Sequence, residues 1–199
     1  MTAAAFASLI LFSFAMSITP GPNNLLLTTS GLTYGFRRTL PAMAGTLVGI
    51  AALFLISGAG VGALILGDPR LQVGLRISGA LYLIYLAWRL WRSGELAEAE
   101  TKPPLQLWHV AGFQFVNPKA WMMTVSAVSI YVATAQDYGA RLLLVAATFI
   151  VVSAPCVAVW AAFGAGMKSA LKEPRRLKLF NRAMAALTVL SAVLVLLWA

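Results

Sequence analysis

The chain has 199 residues, of which 60% are hydrophobic and 11% charged, and its mean hydropathy is +0.84. A soluble globular domain needs a far more polar coat, so this composition excludes one and points to helices solvated by lipid. The net charge of +9 does not argue for a nucleic-acid partner, because the basic residues sit in short clusters between apolar runs and not along one polar face.

Six apolar segments are predicted in chain order, at about 3–33, 39–66, 70–92, 108–134, 140–167 and 179–199. At about 1.5 Å per residue each can cross about 30 Å of hydrocarbon, the last being short. The expected fold is an all-α integral membrane protein with six transmembrane helices, forming a single transporter domain over 1–199. Residues 1–17 lack the positive n-region of a signal peptide, and apolar character resumes beyond them, so they are read as part of the first segment.

Segment one is interrupted by "TPGPNN", Thr19 to Asn24. Pro20 and Pro22 bring no backbone donor, so carbonyls about a turn upstream lose their partners, and Gly21 loosens the chain further. In hydrocarbon such a break is tolerated only against protein or a wet cavity, which places it on an interior face. A full crossing and a re-entrant loop both remain open, the second leaving five crossings and moving the N-terminus to the other side.

Segment two carries small-xxx-small pairs, Gly45 with Gly49 and Gly58 with Gly62, suited to close packing within a bundle. Along segment three, Tyr82, Tyr85, Trp88 and Trp91 read as membrane anchors. The polar connection "SGELAEAETKPP", residues 93–104, reads as a hinge between a first half, 1–92, and a second half, 105–199.

Segment four holds a second break, "QFVNPKAW" from Gln114 to Trp121, with Asn117, Pro118 and Lys119 at its centre. Counted at the helical rise, Asn117 lies about 14 Å from Trp108 and Asn23 about 20 Å from Arg37, so both breaks fall near the midplane. His109, the one histidine, sits near an interface and cannot alone form a metal site. Cys156, the one cysteine, lies beside Pro155 in the apolar run of segment five and reads as a small packed residue. The basic run "KEPRRLK" before segment six suits topology and contact with anionic lipid.

The connections alternate in charge. Arg37, Arg38, Arg89, Arg92, Lys102, Lys168, Lys172, Arg175, Arg176, Lys178 and Arg182 flank the first, third and fifth; Arg70, Arg76 and Arg141 flank the others. Cytoplasmic connections are enriched in Lys and Arg, so loops 1–2, 3–4 and 5–6 are expected in the cytoplasm and both termini outside. Because three is odd, the two halves have opposite orientation, and a duplication would be an inverted three-plus-three repeat. "RISGAL" from Arg76 and "RAMAAL" from Arg182 share an Arg, a small residue, Ala and Leu at matching spacing.

Two proline-broken helices, one and four, running in opposite directions suit a binding site for a zwitterion. Freed amide N–H groups hold a carboxylate, and freed carbonyls hold an ammonium or a cation. The candidate substrate-binding residues are Pro20, Gly21, Pro22, Asn23, Asn24, Gln114, Asn117, Pro118 and Lys119. The amides either touch substrate or re-satisfy the broken backbone. Lys119 is the one charge placed within the hydrophobic depth, where it receives a carboxylate, takes part in proton exchange, or snorkels to an interface as an anchor.

All six acidic residues, Asp68, Glu95, Glu98, Glu100, Asp137 and Glu173, fall in connections. A membrane-embedded enzyme would bring paired carboxylates, a His cluster or a nucleophile with its base to the membrane, so no catalytic residue, metal or cofactor is expected. A scaffold protein is the other rival class, for which paired mid-depth breaks have no evident use.

Five stretches carry a wider likeness: "TPGPNN" at Thr19–Asn24, "GFRRTLPAMAGTLVG" at Gly35–Gly49, "GALYLIYLAWRLWR" at Gly79–Arg92, "FQFVNPKAW" at Phe113–Trp121 and "NR" at Asn181–Arg182. With them the chain resembles the lysine exporter family, LysE/RhtB, of bacterial amino-acid exporters, over nearly its whole length. The resemblance implies a six-segment inner-membrane carrier that expels amino acids or related metabolites, driven by the proton gradient. It places the family's proline motifs on Pro20 to Asn24 and on Asn117, Pro118 and Lys119. Where the family's last segment has glycines after "NR", this chain has Ala183, Ala185 and Ala186.

A carrier for lysine or arginine would offer a carboxylate at depth, and none is placed there. Neutral amino acids such as threonine, homoserine or cysteine-like compounds are therefore expected, a basic amino acid or another small metabolite being the alternative. The expected partners are this small-molecule substrate, membrane lipid and a coupling proton, with no nucleic acid; the oligomeric state stays open.

Overall fold

A computed structural model of the chain describes residues 1–60, 64, 67–92, 104–133, 135–171 and 173–197, which form helices joined by turns. Segment one gives α1 (Ala3–Ile18) and α2 (Pro22–Tyr34), segment two α3 (Phe36–Gly58), and segment three α4 (Pro69–Arg92). Segment four gives α5 (Leu107–Phe113), a 3-10 turn (Gln114–Val116) and α6 (Pro118–Tyr131). Segments five and six give α7 (Tyr138–Met167) and α8 (Pro174–Leu197).

Both expected breaks are present. Thr19 and Gly21 take extended backbone, and α2 restarts on Pro22, where the missing N–H would have been unpaired in any case. The two pieces meet at 55°. In the fourth segment the helix tightens into the 3-10 turn, and Asn117 then turns extended (φ −90°, ψ 104°), as a residue before proline must. Its side chain caps α6 by accepting from the Lys119 N–H at 3.2 Å.

Two boundaries differ from expectation. The described helix of segment two stops at Gly58, followed by Gly60 at φ 95°; Gly62 and much of the remaining stretch to 66 lie outside the described residues. The last helix is not short: it has 24 residues because it begins at Pro174. Its basic first turns look like a loop by hydropathy, yet Arg, Leu and Lys are good helix formers and proline is tolerated at the first position. Residues 93–103, most of the expected hinge, lie outside the described residues.

The packing crosses between halves. The pieces of segment one lie against α7, those of segment four lie against α3, α3 and α7 pack together, and α4 pairs with α8. Glycines set the close approaches. A Cβ at Gly45 or Gly49 would collide with the backbone of α5, and one at Gly31 or Gly164 would collide across the α2–α7 contact. Met1 and Ala5 share a cavity with Arg141 at the start of α7, while Lys168, just past its end, reaches the Thr33 carbonyl at 3.5 Å. The ends of segment one thus lie at opposite ends of α7, whose 30 residues extend about 45 Å.

Two of the apolar clusters among the described residues are the largest. Leu9, Ile50, Phe54, Met123, Val145 and Phe149 form one, with Phe12, Met16 and Tyr131 packed on it; Leu27, Ala42, Val110, Val157 and Ala161 form the other. The outer surface is also apolar, with Leu11 and Val151 exposed at 68% and 71%. Such a surface suits lipid. α3 and α7 are long and apolar enough to cross a membrane, and the bent α1–α2 pair makes a third span if taken as one.

Candidate functional site

The two breaks meet side chain to side chain. Asn23, in the first turn of α2, and Gln114, at the head of the 3-10 turn, exchange both amide hydrogen bonds: each Nδ2 or Nε2 donates to the other's carbonyl oxygen at 2.8 Å. Gln114 is fully buried and its Nε2 also donates to the Val110 carbonyl at 3.0 Å. A buried amide left without a partner costs roughly 1–3 kcal/mol, so the reciprocal pair is what lets two amides sit at this depth.

Lys119 makes a second link in the same direction. From the first turn of α6 its Nζ donates to the Thr19 carbonyl at 2.9 Å and to Thr19 Oγ1 at 2.9 Å, and it reaches the Pro20 carbonyl at 3.5 Å. Gly21 leaves room for the stem, since a Cβ there would lie 3.0 Å from both Cδ and Nζ. The remaining carbonyls at the end of α1 are taken up as well. Asn24 Nδ2 donates to Ser17 and Thr19 at 2.9 and 2.8 Å, and Trp160 Nε1 of α7 donates to Ile18 at 3.2 Å. The start of α2, by contrast, has no side-chain cap.

Between these links lies a small cavity whose walls mix polar and apolar side chains. Measured for the centre of a water-sized sphere its volume is about 30 Å³, room for a couple of waters and too little for an amino acid. Its walls are Met16, Ser17, Gly21, Pro22, Asn23, Asn24, Thr46, Ile50, Asn117, Lys119, Ala120, Met123, Ser153 and Val157. Met16, Ile50 and Met123 belong to one apolar cluster and Val157 to the other, so packed side chains lie on either side of it.

Six of the nine residues singled out in the sequence, Gly21, Pro22, Asn23, Asn24, Asn117 and Lys119, line this cavity, and Gln114 joins it through Asn23. Two do not. Pro118 is buried against Gly79 of α4, and Pro20 is exposed. Thr19 and Pro20 are exposed while Gly21, Pro22 and Asn24 are buried, and Lys119 and Asn24 bond the freed carbonyls of the break. Asn24 and Asn117 both bond broken backbone.

Sequence reasoning missed Thr19, Thr46 and Ser153. Ser153 Oγ lies 2.7 Å from Ser17 Oγ, tying α7 to the end of α1. A signal existed in its place two residues before Pro155, inside an otherwise apolar run. Among the described residues no group of His, Cys, Asp and Glu could hold a metal ion.

A family model described as LysE type translocator matches residues 14–198, which include both breaks. The chain belongs to the LysE type translocator family. It is therefore an integral membrane translocator and not an enzyme. Among similar proteins, the cysteine/O-acetylserine efflux protein of Klebsiella pneumoniae subsp. pneumoniae is 33% identical over 132 residues, 66% of this chain and 67% of that protein. Those of Salmonella choleraesuis and Escherichia coli O1:K1 / APEC are 31% and 30% identical, over 61% and 66% of this chain. The match spans 62% of the length of the Salmonella protein and 68% of the Escherichia one. No solved structure matches the chain.

Proposed function

We propose that this translocator is a secondary exporter of neutral amino acids or close derivatives, of the cysteine and O-acetylserine kind, across the bacterial inner membrane by proton antiport. The observation that carries the reading is the junction of the two breaks: helices interrupted in opposite halves are joined beside one small cavity through Asn23, Gln114, Lys119 and Thr19. Carbonyls at the end of α1 offer an ammonium seat, the start of α2 offers N–H groups to a carboxylate, and the two together select a zwitterion.

Three further observations support it. The cavity walls bring no carboxylate for the side chain of lysine or arginine, while Met16, Ile50, Met123 and Val157 suit a small uncharged one. The similar efflux proteins bear the names of cysteine and O-acetylserine. Segment one runs from one end of α7 to the other, as a full crossing does and a re-entrant loop does not.

On this reading the chain crosses six times as a three-plus-three inverted repeat, with its basic loops in the cytoplasm. Pro20, Gly21, Pro22, Asn23, Asn24, Gln114, Asn117, Pro118 and Lys119 form or support the substrate site. The test is flux through liposomes holding the purified chain, with cysteine, O-acetylserine, threonine, homoserine and lysine, each with and without a proton gradient. Faster movement of the neutral compounds than through protein-free liposomes is expected. No movement of any of them rejects the exporter; movement indifferent to the gradient rejects antiport alone.

A further inference from the structure

We propose that Lys119 is a tethered substitute for the substrate's ammonium: its Nζ holds the oxygens of Thr19 and Pro20 whenever no amino acid does, and an amino acid loads by displacing it. This deepens the reading of the junction as the transport site and rests on it.

The geometry sets out the exchange. Two carbonyls and a hydroxyl converge on one ammonium at 2.9 to 3.5 Å, at the end of α1 where the helix dipole favours a cation. The ammonium is delivered from the opposite half, by a stem that lines the cavity and passes Gly21, where a side chain would press on it. No carboxylate pairs with Lys119 among the described residues, so its partners are all neutral oxygens.

An α-ammonium has the same charge and the same three N–H donors as Nζ. Replacing one by the other conserves both charge and hydrogen bonds, and it leaves the displaced Nζ inside the cavity beside the substrate carboxylate. With neither cation in place, the Pro20 carbonyl and Thr19 Oγ1 would lose the ammonium and the Thr19 carbonyl would keep Asn24 Nδ2 alone, a loss that is costly within the membrane. The return of the unloaded carrier therefore depends on Lys119, whereas the exchange of one substrate molecule for another does not pass through that step.

The test compares net efflux with counterflow exchange of cysteine in liposomes holding the full chain. For Lys119→Met the ratio of net efflux to counterflow should fall about tenfold, the size expected from losing one charged hydrogen bond. A role in packing or in binding the carboxylate alone lowers both fluxes together, and an unchanged ratio overturns the proposal. A second arm uses thermal unfolding of purified Lys119→Ala. Ethylammonium, small enough for the vacated stem, should raise its midpoint by about 3 °C or more and leave the natural chain unmoved.

Tetramethylammonium, which has the charge but no N–H, should do nothing to either. Equal response to the two cations, or none, overturns the seat. If the natural chain moves no amino acid, the transport reading falls by itself, and the unfolding arm still decides whether the oxygens form a seat for an ammonium.

Discussion

Asn23 and Gln114 each give and take one hydrogen bond with the other, across a sequence separation of 91 residues. Replacing either by a residue without the amide leaves the other's donor and acceptor short. We expect Asn23→Ala or Gln114→Leu to cost about 1–3 kcal/mol each, and the double variant to lose clearly less than the sum. Thermal or denaturant unfolding of the four proteins measures the coupling; additive losses would mean that the pair does not hold the junction. Efflux should fall in both single variants, because the same bonds set the distance between the two halves of the site.

The legibility of the site follows from the same chemistry. The prolines and Gly21 announce themselves, since a missing N–H and a missing Cβ are covalent facts that no environment hides. Thr46 does not. Thr46 Oγ1 can satisfy itself by donating to the Ala42 carbonyl one turn back, at 3.1 Å, so a lone hydroxyl in an apolar run carries no sign of whether it also faces a cavity. Thr19 was likewise invisible as a partner of Lys119, because their contact spans 100 residues and depends on how two bent helices meet.

At the scale of elements, hydropathy recovered every described helix, and it failed where helix and apolar run part company. The start of α8 at Pro174 is basic, and helices α1 and α2 share one apolar run. The small-residue spacing of α3 was informative, since Gly45 and Gly49 do lie at the crossing with the fourth segment. Gly164 holds the equivalent crossing of α7 on α2, where an added Cβ would strike the Thr28 carbonyl. Gly164→Ala should therefore destabilise the protein by about 1–3 kcal/mol through forced separation of the helices. Gly74 of α4 has open space around it, and Gly74→Ala should stabilise by a few tenths to about 1 kcal/mol from helix propensity alone. Unfolding midpoints that move in the same direction for both variants would contradict the packing.

For the whole molecule, the exchange of partners between halves is the packing that the proposed inverted repeat requires. Segment one lies on α7, segment four lies on α3, and α3–α7 and α4–α8 pair across the two halves, so swapping halves maps the packing onto itself. The sequence offered only "RISGAL" and "RAMAAL", because packing constrains size and direction more tightly than residue identity. That arrangement fixes which ends belong together: Ala5 lies with Gln136 at one end, Thr33 with Lys168 at the other. On the proposed reading the basic residues orient the pair, and the Arg37 and Lys168 end is expected in the cytoplasm.

Single cysteines introduced at Thr2, Gln136, Arg37 and Lys168 in a Cys156→Ala background, treated with a membrane-impermeant thiol reagent on intact cells, test both statements. Labelling is expected at positions 2 and 136, and at 37 and 168 only after the membrane is opened. The reverse pattern would invert the orientation and leave the packing intact. Labelling of position 2 from the side opposite to 136 would mean that segment one does not cross, and the six-crossing arrangement would fall.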